Sequence, residues 1–111
     1  MKPFMITTGF DFPGYKIVRN IGIVRGIVVR SRSVVGNFMA GLQTILGGNI
    51  TVYTNMCEKA RTDAYDLMCK HAERYEANAI ISMRYDTTEI MRGVTEVLCY
   101  GTAVYVEGIA A

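Results

Sequence analysis

The chain has 111 residues, a mass of 12.3 kDa and a formal net charge of +2. Half of the residues are apolar and one fifth are charged, which excludes a disordered or collagen-like chain and predicts a single domain over residues 1–111. The net charge is too small to indicate a nucleic-acid-binding protein or a polybasic membrane binder.

Residues 15–30 are the first β-rich stretch. They are dense in Ile and Val and follow a Pro-Gly turn signal at residues 13–14. We expect either one long strand, bent or bulged at Gly22 and Gly26, or a hairpin broken near residues 20–22.

Two helices are predicted in the middle of the chain. The first is short, beginning at Asn37 and ending at Gly47 and Gly48, because glycine readily adopts positive φ at a helix C-terminus. The second covers residues 51–78, where apolar side chains recur at spacings of three and four and fall in one stripe. The stripe consists of Tyr53, Met56, Cys57, Ala60, Ala64, Leu67, Met68, His71 and Tyr75.

The C-terminal part returns to a β pattern. Strands are predicted over residues 79–85 and 94–106, with a polar connection at residues 87–93. Both faces of the last strand are apolar: one has Val97, Cys99, Ala103 and Tyr105, and the other has Leu98, Tyr100, Val104 and Val106. The two helices can cover only one face of a small sheet, so we expect a second subunit on the other.

The expected fold is therefore α+β. It is a small two-layer domain with an antiparallel or mixed sheet, backed by one long helix and one short helix and assembled as a cyclic oligomer. The longest apolar runs are far shorter than the roughly 20 residues that span a bilayer. Residues 1–8 contain no apolar stretch typical of a signal peptide. We therefore expect a cytoplasmic protein without a membrane-spanning segment.

Short segments along nearly the whole chain follow one known pattern. They are residues 15–18, Gly36 with residues 38–42, residues 45–48 followed by Tyr53, residues 60–61 with Ala64, and residues 77–81, 85–86 and 101–104. In this order they resemble the YbjQ-like family of bacteria and archaea, a family labelled as heavy-metal-binding. The resemblance implies a small α+β subunit assembled as a homopentamer, with no established activity.

Cys57, Cys69 and Cys99 are the candidate metal ligands, because thiolates bind soft metals. Their odd number and wide spacing favour free thiols over disulfides. On one helix, Cys57 and Cys69 are separated by about 18 Å along the axis, so they cannot share an ion within one subunit. A metal site would pair Cys99 with a helix thiol or use neighbouring subunits. The preferred interpretation makes Cys57 and Cys99 small buried hydrophobes and Cys69 the most accessible thiol.

Gly47, Gly48 and Asn49 are a weaker candidate, for an anion. They immediately precede the long helix, where free backbone N–H groups and the helix dipole favour negative charge. A tight turn joining the two helices is the preferred interpretation. His71 lies within the apolar stripe and is interpreted as a hydrogen-bonded core or interface histidine.

No pairing of a nucleophile with a base is readable in the sequence, so no enzyme is expected. The predicted function is that of a non-catalytic homo-oligomeric binding or scaffold protein for an unknown small ligand. Its expected partner is itself, with neither nucleic acid nor membrane, and no cofactor is expected. The alternative is soft-metal or chalcogen binding through cysteine thiolates from neighbouring subunits.

Overall fold

The computed structural model describes residues 5–31 and 50–109. Their elements are β1 (Met5–Ile6), β2 (Tyr15–Ser31), helix α1 (Ile50–Glu73), β3 (Ala79–Met91) and β4 (Val94–Gly108). The strands form one sheet in the order β1-β3-β4-β2, with β1 parallel to β3 and the other neighbours antiparallel. The α+β class, the mixed sheet and the long helix are confirmed, whereas the predicted short helix lies outside the described residues. Within these two ranges, no helix has the length and apolar character needed to cross a bilayer.

Strand β2 is one continuous strand and not a hairpin. Its pairing with β4 shifts register twice, between Ile17 and Arg19 and between Asn20 and Gly22. Gly22 has a φ of 141°, a conformation that side-chain-bearing residues rarely adopt. The predicted irregularity at this glycine is therefore confirmed, and it lets a long strand stay paired while it bends.

Gly26 has a different role from the predicted bend. A Cβ atom at this position would lie 2.6 Å from the backbone nitrogen of Met68, and closer still to the carbonyl oxygen of Ala64. The backbone of α1 thus lies directly on β2, with room only for hydrogen on the Gly26 Cα. The prediction of a bend at Gly26 is wrong. The glycine is needed here because a larger side chain would clash with the helix backbone, and the strand pairs without a register shift at this position.

Helix α1 contacts the sheet through mostly small side chains. The fully or largely buried positions recur every fourth residue: Ala60, Ala64, Met68 and Ala72. Part of the predicted stripe is misplaced, since Cys57, Leu67 and Tyr75 are exposed. The close approach at Gly26 explains this difference, because it brings the smallest side of the helix to the sheet and leaves bulkier residues at its flanks.

Helix α1 ends at Glu73, before the predicted end at residue 78. Glu76 has a φ of 60°, and its N–H donates to the carbonyl of Glu73 at 3.0 Å. The N–H of Ala77 donates to the carbonyl of Ala72 at 3.3 Å. Together these bonds form a Schellman C-cap in which Glu76 occupies the left-handed position that glycine favours.

Glu76→Gly is expected to stabilise the protein by about 0.5–1 kcal/mol, because glycine adopts the left-handed conformation without the steric cost of a Cβ. Glu76 is exposed, so few contacts are lost. Urea denaturation measures the change. The control Glu58→Gly, in the exposed interior of the helix, should instead lose about 1 kcal/mol. An equal loss in both variants would contradict the assigned cap.

The β3–β4 hairpin is longer than predicted. Strand β3 continues through residues 87–91, where the sequence indicated a polar connection. Only Arg92 and Gly93 form the turn, and Gly93 has a φ of 77°. Arg92 does not have a positive φ, so the turn is not of the mirror-image two-residue type, and the pairing of this segment with β4 shifts register between Glu89 and Met91.

Asn78 joins the start of β3 to the end of β4. Its side-chain Nδ2 donates to the carbonyl of Val106 at 2.9 Å, and its Oδ1 accepts from the N–H of Val106 at 2.8 Å. The side chain therefore replaces a peptide group in the ladder. Val106 is 4% exposed, so water is poorly placed to substitute for these bonds.

Asn78→Ala is expected to cost about 2–3 kcal/mol, since two hydrogen bonds are lost and the backbone of a buried residue is left unsatisfied. Asn78→Asp retains the acceptor but loses the donor, so its stability should be intermediate. Chemical denaturation of both variants measures the order. An alanine variant as stable as the aspartate variant would contradict the peptide-like role.

Both faces of β4 are apolar, as predicted. Val97, Cys99 and Ala103 are buried against α1, while Val104 and Val106 are buried on the other face. On that second face the N-terminal segment contributes Met5 and Phe12, which cover one end of the sheet. The sequence indicated only a second subunit as its cover.

The rest of this face is only partly covered, and it also carries exposed Arg25, the cross-strand partner of Tyr100. We define the open apolar face as Ile23, Ile27 and Val29 of β2 with Tyr100 of β4, which are 75%, 41%, 50% and 37% exposed. The described chain is also extended, with a radius of gyration of 17.5 Å. A compact domain of about 100 residues has a radius near 13 Å. Long strands therefore project beyond the layer that α1 covers.

Candidate functional site

Two buried sulfur atoms meet beneath helix α1. Cys99 pairs with Gly26 across the sheet, where the backbone of the helix lies against β2. The Cys99 thiol donates a hydrogen bond to the Sδ of Met68 over a sulfur–sulfur distance of 3.6 Å, and neither side chain is exposed to solvent. The close approach of helix and strand thus positions a thiol and a thioether side by side.

Cys69 adds a second thiol at the edge of this contact. It follows Met68 on α1, is half-buried and packs against the core cluster that contains both Met68 and Cys99. We define Met68, Cys69 and Cys99 as the sulfur cluster. One strand and one helix thus provide two thiols and one thioether.

Both thiols of the sulfur cluster favour their protonated forms. Burial raises the pKa of Cys99 to about 11, and the neighbouring Cys69 acts in the same direction. Burial also raises the pKa of Cys69, with further contributions from the carboxylates of Asp66 and Glu73. Because the thiolate is the reactive form, neither cysteine is an activated nucleophile near neutral pH.

Two tyrosines lie beside the thiols. Tyr85 is the cross-strand partner of Cys99, and its neighbouring hydroxyl lowers the pKa of Cys99 against the larger effect of burial. Tyr65 likewise lowers the pKa of Cys69 against the larger effect of burial. The guanidinium of Arg61 lies 5.6 Å from the centre of the Tyr85 ring. Burial raises the pKa of both phenols.

The three predicted thiols do not converge on one point. Cys69 and Cys99 lie in one neighbourhood, whereas Cys57 is exposed on α1, three helical turns from Cys69. The expected burial of Cys99 is observed. The expectations that Cys57 is buried and that Cys69 is the most accessible thiol are wrong, because the sheet contacts a different side of α1 from the one predicted.

The apolar stripe predicts Met68 only as a core residue, and no spacing rule relates positions 68–69 to position 99. Across residues 5–31 and 50–109, no set of three or more His, Cys, Asp or Glu side chains is arranged to hold a metal ion. The anion candidates Gly47, Gly48 and Asn49 lie outside the described residues.

His71 accepts a hydrogen bond from a backbone N–H group at the outer edge of β2. Its Nδ1 accepts a hydrogen bond of 3.1 Å from the backbone N–H of Arg25, and its ring centre lies 5.6 Å from that of Tyr75. β2 is the outer strand of the sheet formed by the described residues, so no described strand pairs with this N–H. The hydrogen-bonded histidine agrees with the sequence interpretation.

Comparisons with known proteins match nearly the whole chain. A family model described as "Putative heavy-metal-binding" matches residues 4–107. A UPF0145 protein of Chromobacterium violaceum is 60% identical over 106 residues, covering 96% of this chain and 91% of the relative. A UPF0145 protein of Burkholderia mallei is 64% identical over 102 residues, covering 92% of each chain.

Among solved structures, a protein of unknown function from Pediococcus pentosaceus has a similar fold. The TM-score is 0.55 at 19% sequence identity, and the match covers 94% of this chain and 98% of that one. At this identity the likeness concerns the fold alone.

Proposed function

We propose that this chain, which belongs to the YbjQ-like family with its heavy-metal-binding description, is a non-catalytic, cytoplasmic binding or scaffold protein that assembles as a homo-oligomer. Five copies are the expected number, from the sequence resemblance described above. The observation that supports assembly is the open apolar face, whose Ile23 is 75% exposed on a sheet extending beyond its helix. Exposed apolar side chains grouped on one face are typical of protein interfaces.

The protonation state of the two thiols supports a non-catalytic role. Burial raises the pKa of Cys69 and of Cys99, so both are held protonated and weakly nucleophilic. Enzymes that use cysteine as a nucleophile lower this pKa, commonly with a nearby cation or a helix N-terminus. The environment observed here shifts the thiols in the opposite direction.

Light scattering on the purified protein tests the assembly. The expected mass is about five times the 12.3 kDa of one chain. Replacing Ile23 and Ile27 together with lysine should reduce the mass to that of a smaller species, because the charges would oppose burial of the open apolar face. Tyr75→Lys is the control, since Tyr75 is 54% exposed but lies at the helix end. A wild-type protein that is monomeric at micromolar concentration would overturn the proposal.

Soft-metal or chalcogen binding by thiolates from neighbouring subunits is a second candidate function. The exposure of Cys57 favours it, since a ring would present this thiol once per subunit around its axis. Cys99 is unsuited to this role because its side chain has no exposed surface.

Metal content after purification without chelators tests this second function. Stoichiometric metal that is lost in Cys57→Ser would support it. Metal content unaffected by Cys57→Ser would overturn the shared site.

A further inference from the structure

We propose that the outer edge of β2 binds residues 85–91 of β3 from a second copy of this chain, so that neighbouring subunits share one continuous sheet. We define the outer edge of β2 as the basic edge and residues 85–91 of β3 as the acidic edge. The contact rests on the homo-oligomeric function proposed above and assigns the surfaces that would carry it.

The sheet has a different strand at each edge. β2 lies at one edge, and no described strand follows it. At the other edge, β1 pairs with β3 only at Ala79 and Ile80. The segment after β1 makes backbone hydrogen bonds along β3 as far as Met83, whose N–H donates to the carbonyl of Thr7. Residues 85–91 therefore have no described strand on their outer side.

Backbone N–H groups point outward along the basic edge. The N–H of Arg25 points away from β4, since it donates to His71. In an antiparallel ladder every second residue points the same way, and residues 22–31 pair with β4 without a register shift. The N–H groups of Ile23, Ile27 and Val29 therefore also point outward, where no described strand meets them. A strand edge in this state is a template for pairing with another chain.

The acidic edge has the same property. The N–H of Thr87 donates to Oδ1 of Asp86 at 2.9 Å. By the same alternation, the N–H groups of Tyr85 and Glu89 point outward with that of Thr87. Each edge thus offers backbone groups to which a neighbouring strand can bind.

The two edges carry opposite charges. β2 contains no acidic residue and four basic ones: Lys16, Arg19, Arg25 and Arg30. Arg30 already forms an ion pair with Asp63, whereas the other three are exposed. Residues 85–91 contain exposed Asp86 and Glu89 and no basic residue. These charges favour β2 beside the β3 of a neighbour and disfavour β2 beside another β2.

Exposed apolar side chains accompany both edges. Ile23, Ile27 and Val29 of the open apolar face lie on β2, and Ile90 and Met91 lie at the end of the acidic edge. A strand added to β2 becomes the cross-strand neighbour of its side chains. The edge contact would therefore cover apolar groups that a single chain leaves exposed.

A contact between two different edges is also what a ring of five requires. An isologous contact uses the same surface on both copies and joins them in pairs, whereas a heterologous contact joins each copy to the next and can close at an odd number. The basic and acidic edges lie on opposite sides of one sheet. Each subunit can therefore pair with one neighbour on either side.

Charge reversal on each edge tests the contact, with light scattering as the readout. Arg19→Glu with Arg25→Glu reverses the basic edge, and Asp86→Arg with Glu89→Arg reverses the acidic edge. Each double variant should have a smaller mass than the wild type. The chain with all four substitutions should regain the wild-type mass, because its edges are again complementary.

The matched control is Asp66→Arg with Glu73→Arg, which reverses two exposed acidic residues of α1. This variant should keep the wild-type mass. Circular dichroism shows whether each variant is folded. Wild-type mass in both edge variants, or no recovery of mass in a folded chain with all four substitutions, would overturn the edge contact.

Hydrogen exchange of single amide groups, followed by NMR, tests the backbone pairing in the wild type itself. The outward N–H groups of Ile27 and Val29 should be protected as well as that of Val28, which points inward to β4. In the folded Asp86→Arg, Glu89→Arg variant, only the outward groups should exchange tenfold or more faster. A wild-type pentamer with unprotected outward groups would overturn this contact alone, whereas a monomeric wild type would overturn the assembly on which it rests.

Discussion

Replacing Gly26 with alanine is expected to lower the free energy of unfolding by about 3 kcal/mol or more. The added methyl group would lie 2.6 Å from the nitrogen of Met68 and 2.8 Å from the Cβ of Leu67, and closer still to the carbonyl oxygen of Ala64. Backbone atoms of a hydrogen-bonded helix cannot move aside singly. Helix α1 must therefore shift away from β2 as a unit, which weakens the packing of all its buried residues.

The matched control is Gly108→Ala. There the nearest atom to the added Cβ is Cε1 of Tyr15 at 4.0 Å, an ordinary van der Waals contact. Thermal unfolding should place Gly26→Ala more than about 10 °C below the wild type, and Gly108→Ala within a few degrees of it. If the two variants melt together, the direct contact between the helix backbone and β2 is contradicted.

Replacing Met68 with alanine has the second largest expected effect. Met68 has no exposed surface, and its side chain is among the largest that are fully buried. Truncating such a side chain removes its contacts and leaves a cavity between α1 and the sheet, which costs about 2–5 kcal/mol. Urea denaturation of the metal-free protein measures the loss.

Met68→Leu is the control for Met68→Ala. Leucine has a similar volume and should cost less than about 1.5 kcal/mol. Met68→Ala with a loss as small as that of Met68→Leu would show that the core collapses around the site and that Met68 does not support the helix.

Local chain geometry accounts for the features that the sequence predicted well. The α+β class, the long helix and the two apolar faces of β4 follow from periods of about 3.6 and 2 residues, which the backbone sets within each element. The separation of Cys57 from Cys69 also follows from the rise of a single helix. These properties depend on residues that are close in the sequence. They can be derived without knowing which helices and strands contact each other.

Contacts between distant segments determined the rest. The sequence could not show that Gly26 lies under Ala64. A glycine in a strand is compatible with many local environments, and only the crossing of α1 over β2 makes a glycine necessary at this position. That crossing decides which side of α1 is buried and therefore why Cys57 is exposed. Similarly, the N-terminal Phe12 covers part of a sheet face on which the sequence indicated only a second subunit.

The sulfur cluster illustrates the same distinction. The sequence left open a pairing of Cys99 with a helix thiol, but it did not indicate the contact of Cys99 with Met68. Met68 and Cys99 are 31 positions apart and lie on different elements, so their 3.6 Å contact exists only once β4 is paired with β2 and α1 is seated at Gly26. Sequence periodicity determines which face of an element a residue occupies, whereas packing determines which faces meet.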